Sequence, residues 1–347
     1  MITYWTLFTL PVIGYFLHHR LGKLFDNLLW GITIFVFIFA IGLRHHIGCD
    51  WYSYQSTYET IISNPLSDAS SAWGIGFTTL NWLAGQMNIG IYGVNLICAV
   101  FFCWAVFTFC HSQPSRWIAC LAAVPYLFVI VAMGYTRQSV ALGFFLFALL
   151  QIERQKIWHY IGLVVLGSIF HVSVILCLPL ALIHIYQKNR RVFFFILIPI
   201  LFLMLFTIFQ GGGWKFNVYF NPETARFHSV GSVWRTIMSA LPASVLLLLH
   251  HRRVVTINNS VWYFLAWICI VSLLVTPVAT TGFDRLNIYL VPIQLYAWAR
   301  LTEIPITWLS KQVLTISVIA LYGSYLFLWL NFSSHAICWV PYSNIFF

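Results

Sequence analysis

"LLWGITIFVFIFAIGLRHHIGCDWYSYQSTYE", Leu28 to Glu59, decides the fold. Its first half, Leu28–Leu43, holds no charged residue. Its second half holds Arg44, His45, His46, Asp50 and Glu59 among Trp51, Tyr52, Tyr54 and Tyr58. An apolar run of this kind reads as a helix buried in a bilayer, where about 20 residues are needed to span the hydrocarbon core. The polar half must then emerge at the membrane surface, because ionisable groups are costly in lipid and are kept there for a purpose.

The same pattern recurs along the chain. Further apolar runs cover Tyr4–Leu17, Ile89–Cys110, Trp117–Gly134, Val192–Phe209, Ile237–Leu249, Val261–Thr280, Leu286–Trp298 and Val313–Leu330. Ser139–Leu150 is short and is expected to start earlier, through Tyr135–Gln138. Ile157–Tyr186 contains Gly162, Gly167, His171 and Pro179 and reads as two short helices that turn back near His171. With 61% hydrophobic and only 7% charged residues, against about 25% charged in soluble domains, the chain cannot cover a water-facing surface. The expected fold is all-α: one polytopic membrane bundle over residues 1–347, with about 11–12 transmembrane helices. Met1–Leu17 lacks the features of a cleaved signal peptide.

The net charge of +10 does not point to nucleic acid. Most Lys and Arg sit in short clusters between apolar runs: "HHRLGK", "HSQPSR", "ERQK", "KNRR", "HRR" and the Arg300–Lys311 loop. These fall in alternate loops with only Asp26, Glu153 and Glu303 beside them, so the positive-inside rule places them in the cytoplasm. Both ends of the chain and the polar loops near 44–88 and 210–235 then face the exterior. So do "YTRQ" (Tyr135–Gln138), His171 and "FDRLNIY" (Phe283–Tyr289). Chemistry is expected on that face.

Several of these exterior groups suit an anionic, sugar-bearing substrate. Arg44 closes a span; the simple alternative is an Arg that snorkels to the interface. Asp50, Tyr54 and Tyr58 recur at helical spacing and can share one face of a helix lying along the membrane. Arg137 lies at the start of a helix, where a planar guanidinium fork suits a phosphate; a buried pair with Asp50 or Asp284 is the alternative. His171 stands among apolar residues beside an expected break and is either a satisfied core histidine or part of a site. Arg285 and Tyr289 share a helical face. Arg226 and Arg235 flank a loop of a size that suits a lid, while Lys215 and Glu223 read as solvated.

Together, the Arg excess fits a lipid-linked diphosphate, whose charged head must lie at the membrane surface. Arg44, Arg137, Arg285 and Arg235 are the candidate diphosphate ligands, and Asp50, then His171, the candidate bases. Tyr54, Tyr58, Gln138, Asp284, Tyr289 and Tyr342 are the candidate substrate contacts. Arg can neutralise a leaving diphosphate without a metal. HExxH spacing and a DxD pair are both missing, so no metal and no cofactor is expected. The three His-His pairs read as interfacial. Cys49 and Cys338 both face the oxidising side, and spacing alone does not decide whether they pair.

These motifs also carry a resemblance. "GLRHHIGCDWYSYQSTYE" resembles the first-loop signature of the EpsG-like branch of Wzy-type polysaccharide polymerases through Arg44, Gly48, Asp50, Trp51 and Tyr54. "YTRQSVALGFFLFAL" is similar to that family's Arg-Gln helix through Arg137, Gln138 and Ala141. "GSIFHVSVILCLPL" is similar to its His-x-Ser segment through His171 and Ser173. "DRLNIY" and "WVPYSNIFF" match through Arg285, Tyr289, Pro341 and Tyr342. The motifs follow the family's order from about Leu43 onward. Departures are Cys49, where the family has a small hydroxyl residue, and His45-His46. The resemblance implies a GT-C-like glycosyltransferase of the bacterial inner membrane with a periplasmic active site. It implies transfer of a glycan from undecaprenyl diphosphate to a lipid-linked repeat unit, with membrane lipid and a chain-length regulator as partners. An O-antigen ligase, a membrane acyltransferase and a flippase are the competing classes. The one-sided crowding of polar groups weighs against a flippase, and the lack of a basic neighbourhood at His171 weighs against an acyltransferase.

Overall fold

The computed structural model describes residues 1–18, 20, 22–64, 74–188, 191, 193, 195, 197–199, 202, 231–257, 259–277, 286–304 and 310–346. Among them the regular structure is all helix, without strands, and one isolated β-bridge joins Arg44 and Asn344. Among the described residues four helices are long and apolar enough to cross a membrane: Lys23–Gly42, Gly90–His111, Ser232–His251 and Lys311–Phe332. Shorter apolar helices include Ile157–Ser168 and Ser260–Val275. The protein is an all-α polytopic membrane protein.

The chain divides into two compact units. The first comprises Met1–Gly143, Ile169–His171 and Trp298–Phe347; the second comprises Phe144–Ser168 and Val172–Ala297. In the first unit, α1 (Ile2–His18) and α2 (Lys23–Gly42) are followed by two helices inside the first polar loop, α3 (Trp51–Ile62) and α4 (Ile75–Gln86). Then come α5 (Gly90–His111) and α6 (Arg116–Ala123). α6 runs on as a π-helix over Val124–Ala132, where Pro125 has no N–H to continue the α ladder. This segment is apolar all round and buried all round, with Leu121 and Phe128 wholly covered, as a central helix should be. α7 (Thr136–Glu153) starts before the apolar run, at "TRQ".

Between membrane helices the driving force is close packing rather than exclusion of water. Gly42 illustrates it: a Cβ there would stand 2.9 Å from the Leu96 Cα, so α2 and α5 touch backbone to backbone. The end of the bundle where α2 begins is closed by charge. Asp26 takes hydrogen bonds from Arg116 at 2.5 Å and from the Trp117 indole at 2.8 Å, with the guanidinium 4.9 Å from the Trp30 ring centre. Arg300 donates to Gln113 at the same end of α5. Arg44 lies at the other end of α2, about 30 Å away for a helix of this length.

After α7 the chain breaks where expected, near His171. α8 (Ile157–Ser168) stops, His171 is non-helical, and a 3-10 turn over Val172–Cys177 leads into α9 (Pro179–Lys188). The Tyr160 hydroxyl donates to the Cys177 carbonyl at 2.6 Å, a contact that requires the reversal. α10 (Ser232–His251) packs on α11 (Ser260–Val275). The expected Val192–Phe209 span and the loop from Gln210 lie mainly outside the described residues. Arg235 belongs to the first turn of α10 rather than to a loop.

Candidate active site

The site begins where α2 ends. Past Leu43 the chain extends and pairs with the tail. The Ile345 N–H donates to the Leu43 carbonyl at 3.0 Å, the His45 N–H donates to Ser343 at 3.0 Å, and Arg44 and Asn344 form the bridge. Next, Gly48 turns the chain at φ +99°, and its N–H donates to the Cys338 carbonyl at 2.9 Å. A side chain is excluded there, since a Cβ would meet the Met133 carbonyl oxygen at 2.5 Å. Gly48→Ala therefore combines a left-handed backbone with an overlap, and is expected to cost about 2–4 kcal/mol. A lower apparent melting temperature of the purified protein in detergent would register it; no shift would mean the loop does not sit against Met133. Cys49 and Cys338 are joined by a disulfide. Cys49, a departure from the family pattern, thus has its counterpart in the tail.

Arg44 does not snorkel. It is 2% exposed and donates to the Ile41 carbonyl at 2.7 Å, to Thr136 Oγ1 at 2.8 Å and to Asn95 Oδ1 at 3.4 Å. Its guanidinium carbon lies 5.9 Å from the Trp51 ring centre. Burial pulls the group down to about 10, still protonated at neutral pH. All its named acceptors are neutral. Arg44 thus links the ends of α2, α3, α5 and α7 at one point.

In front of that point stand Asp50, Tyr54 and Arg137. Asp50 is the N-cap of α3 by position, yet its carboxylate makes no capping bond and is exposed. Tyr54 is buried one turn further on, 7% exposed. Burial pushes its phenol up; Arg137, hydrogen-bonded to it, works in the opposite direction, and the Asp50 charge adds to the rise. Arg137 occupies the first turn of α7, half-buried, next to the Thr136 that Arg44 holds. The motif residues of the first loop and of the Arg-Gln helix therefore meet at one phenol.

The other candidates fall around this core or apart from it. Gln138 is buried in α7, Tyr58 half-buried on α3 facing Gly85 of α4, and His171 half-buried at its break. α4 reaches that break: the Gly76 N–H donates to the Ile169 carbonyl at 2.9 Å, two residues before His171. Tyr342 donates to the Ala40 carbonyl at 2.8 Å, fastening the tail to α2. In the second unit, Tyr289 bonds Ser173 at 2.9 Å and edges onto the Phe145 ring. Asn287 donates to Thr236, next to Arg235, at 2.5 Å. Tyr289 of "DRLNIY" and Ser173 of the His-x-Ser segment thus meet there. Asp284 and Arg285 lie outside the described residues. Among the described residues no group of three His, Cys, Asp or Glu side chains could hold a metal.

Asn95, Thr136 and Asn344 were not singled out by sequence. Asn95 gave a signal, since it is a lone amide inside the apolar run of α5. Thr136 and Asn344 gave little, because they are ordinary residues beside quoted motifs.

The family model for the EpsG family matches residues 27–344. The chain belongs to the EpsG family. EpsG proteins are Wzy-type polymerase-like membrane proteins, so this is a glycan polymerase-like membrane protein. The match takes in both Arg44 and its partner Asn344 in the tail. Neither the curated proteins nor the solved structures contain a match to this EpsG chain.

Proposed function

We propose that the protein is a glycosyltransferase that polymerises lipid-linked repeat units on the outer face of the bacterial inner membrane. The observation that carries this reading is the meeting of Arg137, Tyr54 and Asp50, with protonated Arg44 buried behind them. Asp50 takes the proton from an acceptor sugar hydroxyl, which is a poor nucleophile unaided. The oxygen attacks the anomeric carbon of the donor glycan. The bond from that carbon to the diphosphate of undecaprenyl diphosphate breaks, and configuration inverts. Arg137 presents two N–H groups to the diphosphate as charge develops on it. Arg44, enclosed by protein acceptors, acts by holding the start of α7 and so aiming Arg137. Arg235, Arg285, His171, Asp284 and Tyr289 are further candidates for donor and acceptor contacts.

Sidedness rests on two independent features. Within the first unit, the basic residues Arg116 and Arg300 lie at the α2 N-terminal end, Arg116 against Asp26 and Arg300 against Gln113. The Cys49–Cys338 disulfide lies at the opposite end, and disulfides persist in the oxidising compartment.

Reconstitution with a single lipid-linked repeat, without lipid A core, tests the activity. A ladder of chain lengths is expected. An inert preparation that becomes active only on adding lipid A core would instead identify a ligase.

A further inference from the structure

The proposed reaction leaves one exposed cluster unexplained. Side chains of consecutive residues normally diverge, yet the His45 and His46 rings are stacked, 3.8 Å between centres and 25° apart in plane. His46 achieves this by adopting φ +53°, a left-handed backbone that a non-glycine residue seldom takes. Such strain persists where the surroundings impose it and is found at functional sites. The surroundings here are specific. His45 Nδ1 and the Tyr92 hydroxyl of α5 are 2.6 Å apart. The Tyr52 ring lies 5.3 Å from His46, with its hydroxyl 3.4 Å from His46 Nδ1. The Trp51 ring meets the two imidazoles at steep angles, 75° and 55°, with centres 6.0 and 5.8 Å away.

An interfacial aromatic belt explains single Trp and Tyr residues, each presenting an apolar body and a polar tip. It explains a strained imidazole pair poorly, because imidazoles anchor weakly and the strain has no return. Burial and the neighbouring His46 hold His45 below the usual imidazole range. What the pair presents is a flat, polar surface with ring nitrogens and hydroxyls at its edge. A pyranose has the complementary form: a face of C–H groups and a rim of hydroxyls.

We infer that His45, His46, Tyr52 and Tyr92 form a sugar-ring subsite that seats the acceptor repeat unit. The inference rests on the polymerase reading. It names the acceptor rather than the donor because Asp50, the proposed base, directly precedes Trp51 and Tyr52 and lies four residues from His46. The ring held there is the one whose hydroxyl meets that carboxylate. The subsite also accounts for His45-His46 as a departure from the family pattern: it would fit this chain to its own repeat unit.

The test uses the full chain in nanodiscs and, as probe, the free repeat-unit oligosaccharide released by mild acid from the host's lipid carrier. Saturation-transfer NMR should show transfer to C–H protons of one sugar residue. Tyr52→Ala, at an exposed position, and His46→Ala should each weaken binding about tenfold, as loss of one or two polar contacts does. With lipid-linked repeats the same variants should raise the acceptor KM by a similar factor and leave kcat nearly unchanged. Asp50→Asn should bind the probe normally while extending nothing. Absence of transfer in the wild type, or undiminished transfer in Tyr52→Ala, overturns the subsite. If transfer occurs as expected but no ladder ever forms, the subsite stands and the polymerase reading falls.

Discussion

Asp50→Asn is expected to stop chain extension while the protein stays in the membrane at its normal level. Asn has nearly the same shape and is as good an N-cap as Asp, and the Asp50 carboxylate makes no capping bond in any case. The fold should therefore be indifferent to the change. What is lost is the ability to accept a proton, and a positioned general base contributes about 10²- to 10⁴-fold. Glycan ladders from a complemented deletion strain, read beside an immunoblot of the membrane fraction, check it. The deletion strain itself should lose long chains and keep a single repeat. Full activity in Asp50→Asn would remove this residue as the base and turn attention to His171.

The second large effect is expected from Arg137→Lys. Lysine keeps the charge and loses the planar fork, so it can approach a diphosphate only as a point. It also cannot reproduce a guanidinium that bonds Tyr54 and faces the substrate at once. Removing one preorganised donor from an anion-stabilising site costs about 10²- to 10³-fold in kcat. The reconstituted ladder assay should show that loss in rate, with the amount of protein in the membrane unchanged. Equal activity in the two proteins would refute bidentate clamping and leave Arg137 a structural partner of Tyr54.

The helices were legible because lipid imposes a coarse rule: long apolar runs become helices with every backbone group satisfied within the segment. Leu28–Leu43 and Ile89–Cys110 match helices Lys23–Gly42 and Gly90–His111 to within a few residues. The early start of α7 at Thr136 and the break at His171 were legible from "TRQ" and from the Gly and Pro spacing. α4 was not, because Ile75–Gln86 is short and mixes Thr, Asn, Gln and Gly with its apolar residues. The polar stretch after Leu43 announced that something was kept there, but not what Arg44 touches. Apart from Ile41, its partners come from positions 95, 136 and 344, and contacts that distant leave no local pattern. The two cysteines were the exception, since both lay on one side and pairing needed only coordinates to decide it.

The antiparallel bridge between Arg44 and Asn344 has a consequence for the order of events in the cell. Residues 300 positions apart meet late, since closing so long a loop is entropically unfavourable until the elements between them have assembled. Before that moment the segment from Leu43 to Asp50 has its Arg44 contacts to Ile41, Asn95 and Thr136 but lacks the pairing with the tail at His45 and Gly48. On the proposed reading, a half-inserted chain is therefore expected to be catalytically silent, with competence arriving with the last long-range contact rather than with the first inserted helix.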